Sequence, residues 1–401
     1  MPPYRSLRTL QQSQSSPDDK AVQLLNITYV MCKVLSVAIS FASRLKFLPF
    51  FVLPKGELLM LRLIVACLLF VSAVLLDPLA AFADEPAKMI RIGMIGLDTS
   101  HCLAFADLLN KGGSDPALAG CKVILVYPKG SPDIESSIKR VPEYTEKIKA
   151  MGVEVIEDLD AMISQVDAVL LETNDGRPHL EQVLPALKAQ KPVFIDKPIA
   201  GSLVDTIAIF DLAKHYKTPV FSSSSLRFSN GAQAIRGGSI GDVLGCDTYS
   251  PCSLEPTHPD LFWYGIHGCE TLFTIMGPGV ETVVRTQTPD FDLVTGTWNK
   301  GRIGTFRGIR SGSSGYGGTA FGTKGIAPAG QYDGYKPLVV EIVKFFRSGQ
   351  PPVSAEETTD LYAFMEAADE SKRRGFVPVK VADVKAVAAE AAAKKVAELI
   401  K

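Results

Sequence analysis

Short apolar segments alternate with amphipathic helical segments from residue 89 onwards, and this alternation constrains the fold more than any other feature of the chain. Met89–Ile95 and Lys122–Tyr127 are apolar strand-like runs, and His101–Asn110 between them has helical periodicity. Strands that alternate with helices at this spacing form βαβ units and a parallel sheet. We therefore predict a doubly wound α/β domain, in which ligands bind beyond the carboxyl ends of the strands.

The alternation continues to about residue 222 and then changes. The remaining predicted strands and helices of the first part are Val153–Ile156, Leu159–Gln165, Ala168–Glu172, Pro178–Ala189 and Pro192–Ile195. After Ser222, successive strand-like segments with Gly and Asn turns are typical of an antiparallel sheet. The predicted strands are Glu281–Thr286, Leu293–Trp298 and Arg302–Arg310, followed by helices at Tyr335–Arg347 and Ala355–Arg374.

These patterns predict two domains and a tail. Residues 84–221 form a Rossmann-like domain, and residues 222–376 form an α+β domain with a largely antiparallel sheet. Residues 377–401 are rich in Ala, Lys and Glu, and we expect either a marginal surface helix or a frayed tail there.

The composition excludes several classes of protein. The 42 Lys and Arg residues nearly balance the 43 Asp and Glu residues, which argues against a nucleic-acid partner. A hydrophobic fraction of 46% is that of a globular protein and excludes wholesale disorder. The seven cysteines contain no C-x-x-C pair, so we predict neither a disulfide framework nor a zinc site from them.

A signal-peptide pattern begins at Met60. A short basic start is followed by the uncharged run Leu63–Leu76 and by Ala81-Phe82-Ala83, an A-x-A cleavage site before Asp84. The run is too short to span a membrane well. We expect residues 60–83 to be removed from an exported, periplasmic or secreted protein that keeps no stable membrane anchor. Residues 1–59 would then not belong to the mature protein, because the start is assigned too early.

Two motifs carry a family resemblance. Glu172-Thr-Asn-Asp-Gly-Arg-Pro-His179 follows the fourth strand, and Asp196-Lys197-Pro198 follows the fifth. In the second domain, Tyr264-Gly-Ile-His267-Gly-Cys-Glu270 precedes a Gly-Pro-Gly turn. Over about residues 89–376 this succession resembles the Gfo/Idh/MocA oxidoreductase family.

The resemblance implies NAD or NADP as the cofactor and places Lys197 near the nicotinamide and the substrate. It also implies that His267 acts as acid or base, and that the second-domain sheet forms a homodimer or homotetramer. His267 is the only side chain of its motif that titrates near neutrality without a large pKa shift. The alternatives are a lysine paired with Asp196 and a histidine packed within its helix.

The remaining predicted site residues follow the strands of the first domain or lie in the second. The predicted cofactor-binding residues are Gly96, Leu97, Asp98, Thr99, Ser100, Thr173, Asn174, His179, Asp196 and Lys197. The predicted substrate-binding residues are Asp175, Arg177, Arg227, Trp263, Tyr264 and Glu270.

The chain departs from the family pattern in the first βα turn. Gly96-Leu-Asp98-Thr-Ser-His101 keeps only the first glycine of G-x-G-x-x-G. We expect the Asp98 carboxylate to repel a diphosphate, so that Asp98→Gly tightens dinucleotide binding. Thr99 or Ser100 could still cap the helix and leave N–H groups for an anion. In addition, the second predicted strand does not end in an acidic residue that could bind the adenosine ribose. Trp263 stands where some members of the family have an active-site aspartate.

Functions of different classes fit these residues. We favour an NAD(P)-dependent oxidoreductase that acts on CH–OH groups of a sugar, polyol or related small carbohydrate. The alternative is a non-redox carbohydrate hydrolase or lyase, or a binding protein, on the same fold. A third hypothesis concerns O and N ligands after the first and fourth strands: Asp98, His101, Glu172, Asp175 and His179. They could hold a divalent metal, but we favour mutual hydrogen bonding and assign no metal site.

Overall fold

The computed structural model describes residues 89–401. The predicted signal peptide and residues 1–59 lie outside the described residues. Within residues 89–401, none of the helices has the length and apolar character that a membrane crossing requires.

The first domain is built on a six-stranded parallel sheet with the order β3-β2-β1-β4-β5-β6. The strands are β1 (Ile90–Ile95), β2 (Cys121–Tyr127), β3 (Glu154–Val155), β4 (Ala168–Leu171), β5 (Val193–Ile195) and β6 (Val220–Ser222). The helices between them are α1 (Ser100–Lys111), α2 (Glu135–Ala150), α3 (Leu159–Gln165), α4 (His179–Lys188) and α5 (Leu203–His215). The predicted doubly wound parallel sheet is confirmed. Its strand order reverses between β1 and β4, which is where such sheets bind ligands.

Helix α1 begins directly after β1 and sets the geometry of this crevice. The Thr99 hydroxyl oxygen accepts a hydrogen bond from the His101 N–H at 3.1 Å, so Thr99 caps the helix. The inner face of the helix buries Cys102, Phe105 and Leu109 against the sheet. The first turn of α1 is thereby held at the carboxyl edge of the sheet.

The second domain contains a seven-stranded sheet with the order β12-β11-β7-β10-β9-β8-β13. Its strands are β7 (Val243–Pro251), β8 (Val280–Gln287), β9 (Phe291–Trp298), β10 (Ile303–Ile309), β11 (Gly317–Gly322), β12 (Ile326–Pro328) and β13 (Val379–Lys380). Only the β7–β10 pair is parallel among the pairs in this described sheet, so the predicted, largely antiparallel sheet is confirmed.

The helices of the second half are α6 (Asn230–Arg236), α7 (Ile266–Met276), α8 (Lys336–Ser348), α9 (Ala355–Arg373) and α10 (Val381–Leu399). A π-helical turn, Leu261–Gly265, leads directly into α7. Every residue of α7 is buried, and Phe273 on it packs against Trp298 of the sheet and Phe364 of α9. His267 therefore sits on a rigid element.

Two helices pack differently from what their sequences suggest. We predict helix α8 as part of the second domain, but its apolar face is buried in the core of the first domain. There the Phe345 ring meets the Phe221 ring edge-on, with the ring centroids 4.8 Å apart. Helical periodicity marks an apolar face but does not say which sheet covers it. The C-terminal helix α10 is packed rather than frayed, because its small apolar residues Val384, Ala388 and Ala392 are buried.

Candidate active site

A cleft of about 350 Å³ lies at the carboxyl edge of the parallel sheet and is lined by both domains. Seven predicted site residues line it: Thr99, Ser100, Asn174, Lys197, Trp263, Tyr264 and His267. Nine further residues that we did not predict as site residues complete the lining: His101, Ser136, Arg140, Ser225, Leu226, Ser253, Tyr316, Tyr332 and Tyr335. The structure thus brings the lysine motif and the histidine motif to one site.

One end of the cleft fits an anionic group. Thr99 and Ser100 are at the N-terminus of α1, where the helix dipole and free N–H groups favour negative charge. Arg140, one turn after Ser136 on α2, also lines this end and donates from Nη1 to the Asp98 carbonyl oxygen at 3.1 Å. A dinucleotide diphosphate fits a helix N-terminus with an adjacent guanidinium.

The first three residues of the predicted glycine loop lie behind the cleft. Gly96 has φ +100°, and a Cβ at this position would approach the Thr173 nitrogen to 2.5 Å. Glycine is therefore required by the contact between the loops after β1 and β4. Leu97 is fully buried in the core of the first domain.

The expected orientation of Asp98 is wrong. Its side chain is 0% exposed and does not line the cleft. The carboxylate accepts hydrogen bonds from the Ser137 hydroxyl at 2.8 Å and from the Asn174 N–H at 2.9 Å. Burial raises the pKa of Asp98 to about 6, although the Ser137 and Asn174 hydrogen bonds act in the opposite direction. Asp98 thus joins the loops after β1 and β4 to helix α2.

His179 and Thr173 hold the loop after β4 from inside. The Nε2 atom of His179 is 2.9 Å from the Thr173 carbonyl oxygen, and Nδ1 is 3.1 Å from the Ile199 carbonyl oxygen. The Thr173 hydroxyl donates to Gln182 Oε1 at 2.7 Å. Burial lowers the pKa of His179, although the hydrogen bonds to the Thr173 and Ile199 carbonyl oxygens act in the opposite direction. Neither side chain lines the cleft.

Asp175 and Arg177, predicted to bind substrate, instead form an ion-pair cluster beside the cleft. Asp175 is bonded by Arg177, by the Ser131 hydroxyl and by His258, whose Nε2 is 3.1 Å away. Burial alone would raise the pKa of Asp175, but hydrogen bonds from His258, Arg177 and Ser131 bring it far below its ordinary value. Arg177 also pairs with Asp133 at 2.8 Å. We call these five residues the interdomain clasp, because His258 belongs to the second domain and the other four to the first.

Lys197 lines the cleft and also lies beside Asp196. Its side chain is 12% exposed, and Nζ is 3.8 Å from Asp196 Oδ2. Asp196 is fully buried, and its Oδ2 is 2.8 Å from His101 Nδ1. Burial alone would raise the pKa of Asp196, but the nearby His101 and Lys197 lower it to about 2. Lys197 therefore lies beside Asp196 and also lines the cleft, so both positions considered from the sequence are present.

His267 lines the cleft from α7, and its Nδ1 is 2.8 Å from the Ser224 hydroxyl oxygen. Its ring meets the Tyr264 ring edge-on, with centroids 5.0 Å apart. Burial, together with the positive charge of Lys197, lowers the pKa of His267 well below its usual range. The expectation that His267 titrates near neutrality is wrong, because the sequence did not show how completely the ring is buried. The imidazole is neutral at pH 7.

Arg227 and Glu270 form a buried ion pair away from the cleft lining. Glu270 accepts hydrogen bonds at 2.7 Å from the Ser223 hydroxyl, the Ser224 N–H and Arg227 Nε. Arg227 also donates to Glu357 of α9. This network fixes Ser224, the partner of His267, to helix α7.

Aromatic side chains form much of the second-domain part of the lining. The Tyr264 and Tyr316 hydroxyls are 3.0 Å apart, and Tyr335 places its ring 4.7 Å from that of His101. The Trp263 ring packs on the His258 ring of the interdomain clasp, with the ring centroids 4.9 Å apart. The cleft therefore combines aromatic faces with several hydroxyl groups.

The parallel sheet, its cleft and the helix N-terminus at the cleft define a two-domain protein of the nucleotide-binding Rossmann class. Residues 90–223 match the Gfo/Idh/MocA family, described as an oxidoreductase family with an NAD-binding Rossmann fold. This match covers the first domain and confirms the resemblance there, and the family description gives its Rossmann fold as NAD-binding.

Two curated relatives align with parts of the chain. An uncharacterised oxidoreductase of Streptococcus pneumoniae is 29% identical over 179 residues, which cover 40% of this chain and 48% of the relative. The 2,7-anhydro-N-acetylneuraminate hydratase of Escherichia coli is 34% identical over 99 residues, 23% of this chain and 26% of that protein. The chain thus spans about half or less of the length of these relatives.

A solved structure with the same fold is the scyllo-inositol dehydrogenase of Lactobacillus casei with bound NAD(H) and scyllo-inositol. The TM-score is 0.57 at 18% sequence identity, and the match covers 74% of this chain and 100% of that one. At 18% sequence identity, this similarity shows that the two proteins share a fold.

Proposed function

We propose that the protein is a nicotinamide-dinucleotide-dependent oxidoreductase that acts on a CH–OH group of a polyol, sugar or related carbohydrate. The observation that carries this proposal is that Lys197 and His267, one from each domain, line the same cleft. The α1 N-terminus and Arg140 line that cleft as well. A cofactor site and a proton-transfer site thus lie within one concave surface.

Thr99, Ser100, Ser136 and Arg140 would hold the diphosphate of the cofactor. When bound, the nicotinamide supplies the hydride acceptor or donor of the reaction. The protein supplies binding, orientation and proton transfer. The Lys197 ammonium would donate a hydrogen bond to the reacting oxygen and stabilise negative charge that develops on it.

His267 is suited to take the hydroxyl proton because its imidazole is neutral at pH 7. In the tautomer whose Nδ1–H donates to the Ser224 oxygen, Nε2 keeps its lone pair and accepts a proton. The buried Glu270 holds Ser224 through its backbone N–H and so keeps the imidazole oriented. The cation of Lys197 disfavours a second positive charge, so His267 would pass the proton on rather than store it.

The cleft chemistry supports a polyhydroxylated substrate. Ser225, Ser253, Tyr264 and Tyr316 supply hydroxyl groups, which can donate and accept hydrogen bonds with substrate hydroxyls. Aromatic rings offer flat apolar surface for the C–H face of a sugar or cyclitol. The inositol of the similar dehydrogenase structure is a ligand of this chemical type.

We further propose that the protein is a homodimer or homotetramer joined through the second sheet. Large apolar side chains are exposed on five neighbouring strands of this sheet: Leu244, Tyr249, Phe291, Ile303, Phe321 and Ile326. Exposed apolar side chains on neighbouring strands of one sheet favour association. Light scattering on the purified protein should give a multiple of the chain mass, and Ile303→Lys should lower it.

The proposed function is tested first by denaturing purified protein and searching the supernatant for nicotinamide absorbance and fluorescence. Apo protein is then mixed with NAD⁺ or NADP⁺ and a panel of inositols and hexoses, and absorbance at 340 nm is followed. Growth of that absorbance with one substrate supports the proposal. Substrate consumption without any change in the cofactor would establish a non-redox reaction instead.

A further inference from the structure

Three buried metal-ligating side chains meet at the carboxyl ends of three neighbouring strands. His101 lies in the first turn of α1, Glu172 directly follows β4, and Asp196 directly follows β5. One ligand atom from each residue lies within 4.8 Å of the other two. All three residues are buried, and Glu172 and Asp196 are 0% exposed.

Within the described part of the chain, the two carboxylate oxygens of Glu172 lack partners, whereas Asp196 lies close to His101 and Lys197. Among residues 89–401, neither carboxylate oxygen of Glu172 has a hydrogen-bond donor. Asp196 Oδ2 and His101 Nδ1 are 2.8 Å apart, yet neither makes a well-directed hydrogen bond. Burying a carboxylate without a partner is strongly unfavourable, and proteins usually pair such groups or use them to bind metal ions.

The other members of the ligand set considered from the sequence are satisfied elsewhere. Asp98 is bonded by Ser137 and Asn174, and Asp175 by Arg177 and the Ser131 hydroxyl. His179 is bonded through both ring nitrogens. Mutual hydrogen bonding therefore accounts for Asp98, Asp175 and His179 but leaves Glu172 unexplained.

We propose that His101, Glu172 and Asp196 bind one divalent transition-metal ion. Two carboxylates and one imidazole form a mixed oxygen and nitrogen donor set that suits zinc, manganese or iron, and their two negative charges balance a divalent cation. Three protein ligands are also the number that catalytic zinc sites use when a fourth position stays open. His101 and Lys197 line the cleft, so the ion would lie directly behind the proposed reaction site.

A bound proton is the competing occupant. Burial and the charge of Asp196 raise the pKa of Glu172 well above its ordinary value. A proton on Glu172 would remove the buried charge without any metal. The two occupants differ in stoichiometry and in spectrum, and both can be measured without dinucleotide or substrate, so this proposal stands or falls independently of the proposed function.

The test uses wild-type protein treated with EDTA and then equilibrated with Zn²⁺, Mn²⁺ or Co²⁺. We expect about one ion per chain by elemental mass spectrometry after gel filtration, and visible d–d absorption bands for Co²⁺. Glu172→Gln, which keeps the side-chain shape, should weaken binding about 100-fold or more. Glu181→Gln, an exposed change on α4, should leave binding intact.

Two results would overturn the proposal. One is wild-type protein that retains no stoichiometric metal and shows no Co²⁺ bands. The other is metal bound equally well by wild-type protein and a folded Glu172→Gln variant. If Glu172→Gln does not fold, His101→Asn replaces it, and metal bound equally well by wild type and folded His101→Asn would overturn the proposal. In either case the Co²⁺ spectrum of the wild-type protein must show an ion with nitrogen and oxygen ligands.

Discussion

The Asp98 carboxylate accepts a hydrogen bond from the Ser137 hydroxyl at 2.8 Å and does not line the cleft. This contact reverses the role that the sequence suggested for Asp98. A carboxylate held inside the protein joins β1 to α2 and does not face the diphosphate. We therefore expect Asp98→Gly to destabilise the fold, by about 1–3 kcal/mol for the lost hydrogen bonds, rather than to tighten NAD(H) binding.

The raised pKa of Asp98 predicts a specific dependence of stability on pH. Because its pKa is about 6 in the folded protein against an ordinary 3.8, the folded state binds this proton more tightly than the unfolded state. The contribution of Asp98 to stability is thus fully present below about pH 4 and is lost as the pH rises through about 6. From well below pH 4 to well above pH 6, wild type should lose about 3 kcal/mol relative to Asp98→Asn. Urea unfolding of both proteins at several pH values measures this, and parallel pH profiles would contradict it.

Lys197→Ala and His267→Ala should each reduce turnover about 100-fold or more while the fold is kept, because each removes a group that contacts the reacting atoms in the proposed function. Lys188→Ala and His215→Ala, at exposed positions of the same domain as Lys197, serve as controls. Steady-state kinetics and circular dichroism give the comparison. Wild-type rates in both cleft variants would end the assignment.

Arg140→Ala should weaken NAD(H) binding about tenfold or more, since a charged hydrogen-bond donor is removed from the anion-binding end of the cleft. Lys139, the preceding residue on α2, pairs with Glu135 at the surface, so Lys139→Ala controls for the loss of one positive charge. Titration calorimetry on the three proteins separates the effects. Equal affinities for wild type and Arg140→Ala would place the diphosphate elsewhere.

Asp175→Asn should cost about 3 kcal/mol of stability, because it leaves Arg177 and His258 without their buried partner. Asp133→Asn should cost less, since Asp133 is more exposed than Arg177, its partner in the clasp. The lowered pKa of Asp175 adds a pH dependence: its contribution is present above about pH 4 and is lost as the pH falls further. Thermal unfolding at neutral and acidic pH tests both statements, and equal losses in the two variants would refute the clasp.

We also propose that the mature protein is exported and begins near Asp84, because a complete signal-peptide pattern starts at Met60. N-terminal sequencing of protein recovered outside the cytoplasm should read from Asp84 or a close neighbour. A folded cytoplasmic protein that retains an intact Met1 would contradict this proposal.

Local sequence patterns were sufficient to predict the parallel sheet, much of the second sheet, and the motifs that contain Lys197 and His267. They missed helix α2, which contains Pro142, a residue that argues against a helix interior. Ser136 and Arg140 were missed with it. The tyrosines of the lining were missed for another reason, because an aromatic residue on its own does not indicate whether it faces a core or a cleft.

The direction in which each polar side chain points was decided by the tertiary structure. Asp98 turns inward because Ser137 and Asn174, which are 39 and 76 positions away in the chain, bring donors to its carboxylate. Glu172 and Asp196 are 24 positions apart in the sequence and meet only because β4 pairs with β5. Periodicity depends on neighbours along the chain, whereas burial and hydrogen bonding depend on neighbours in space. The sequence therefore determined which elements form and which motifs they carry, and the packing of those elements decided which side chains reach the cleft.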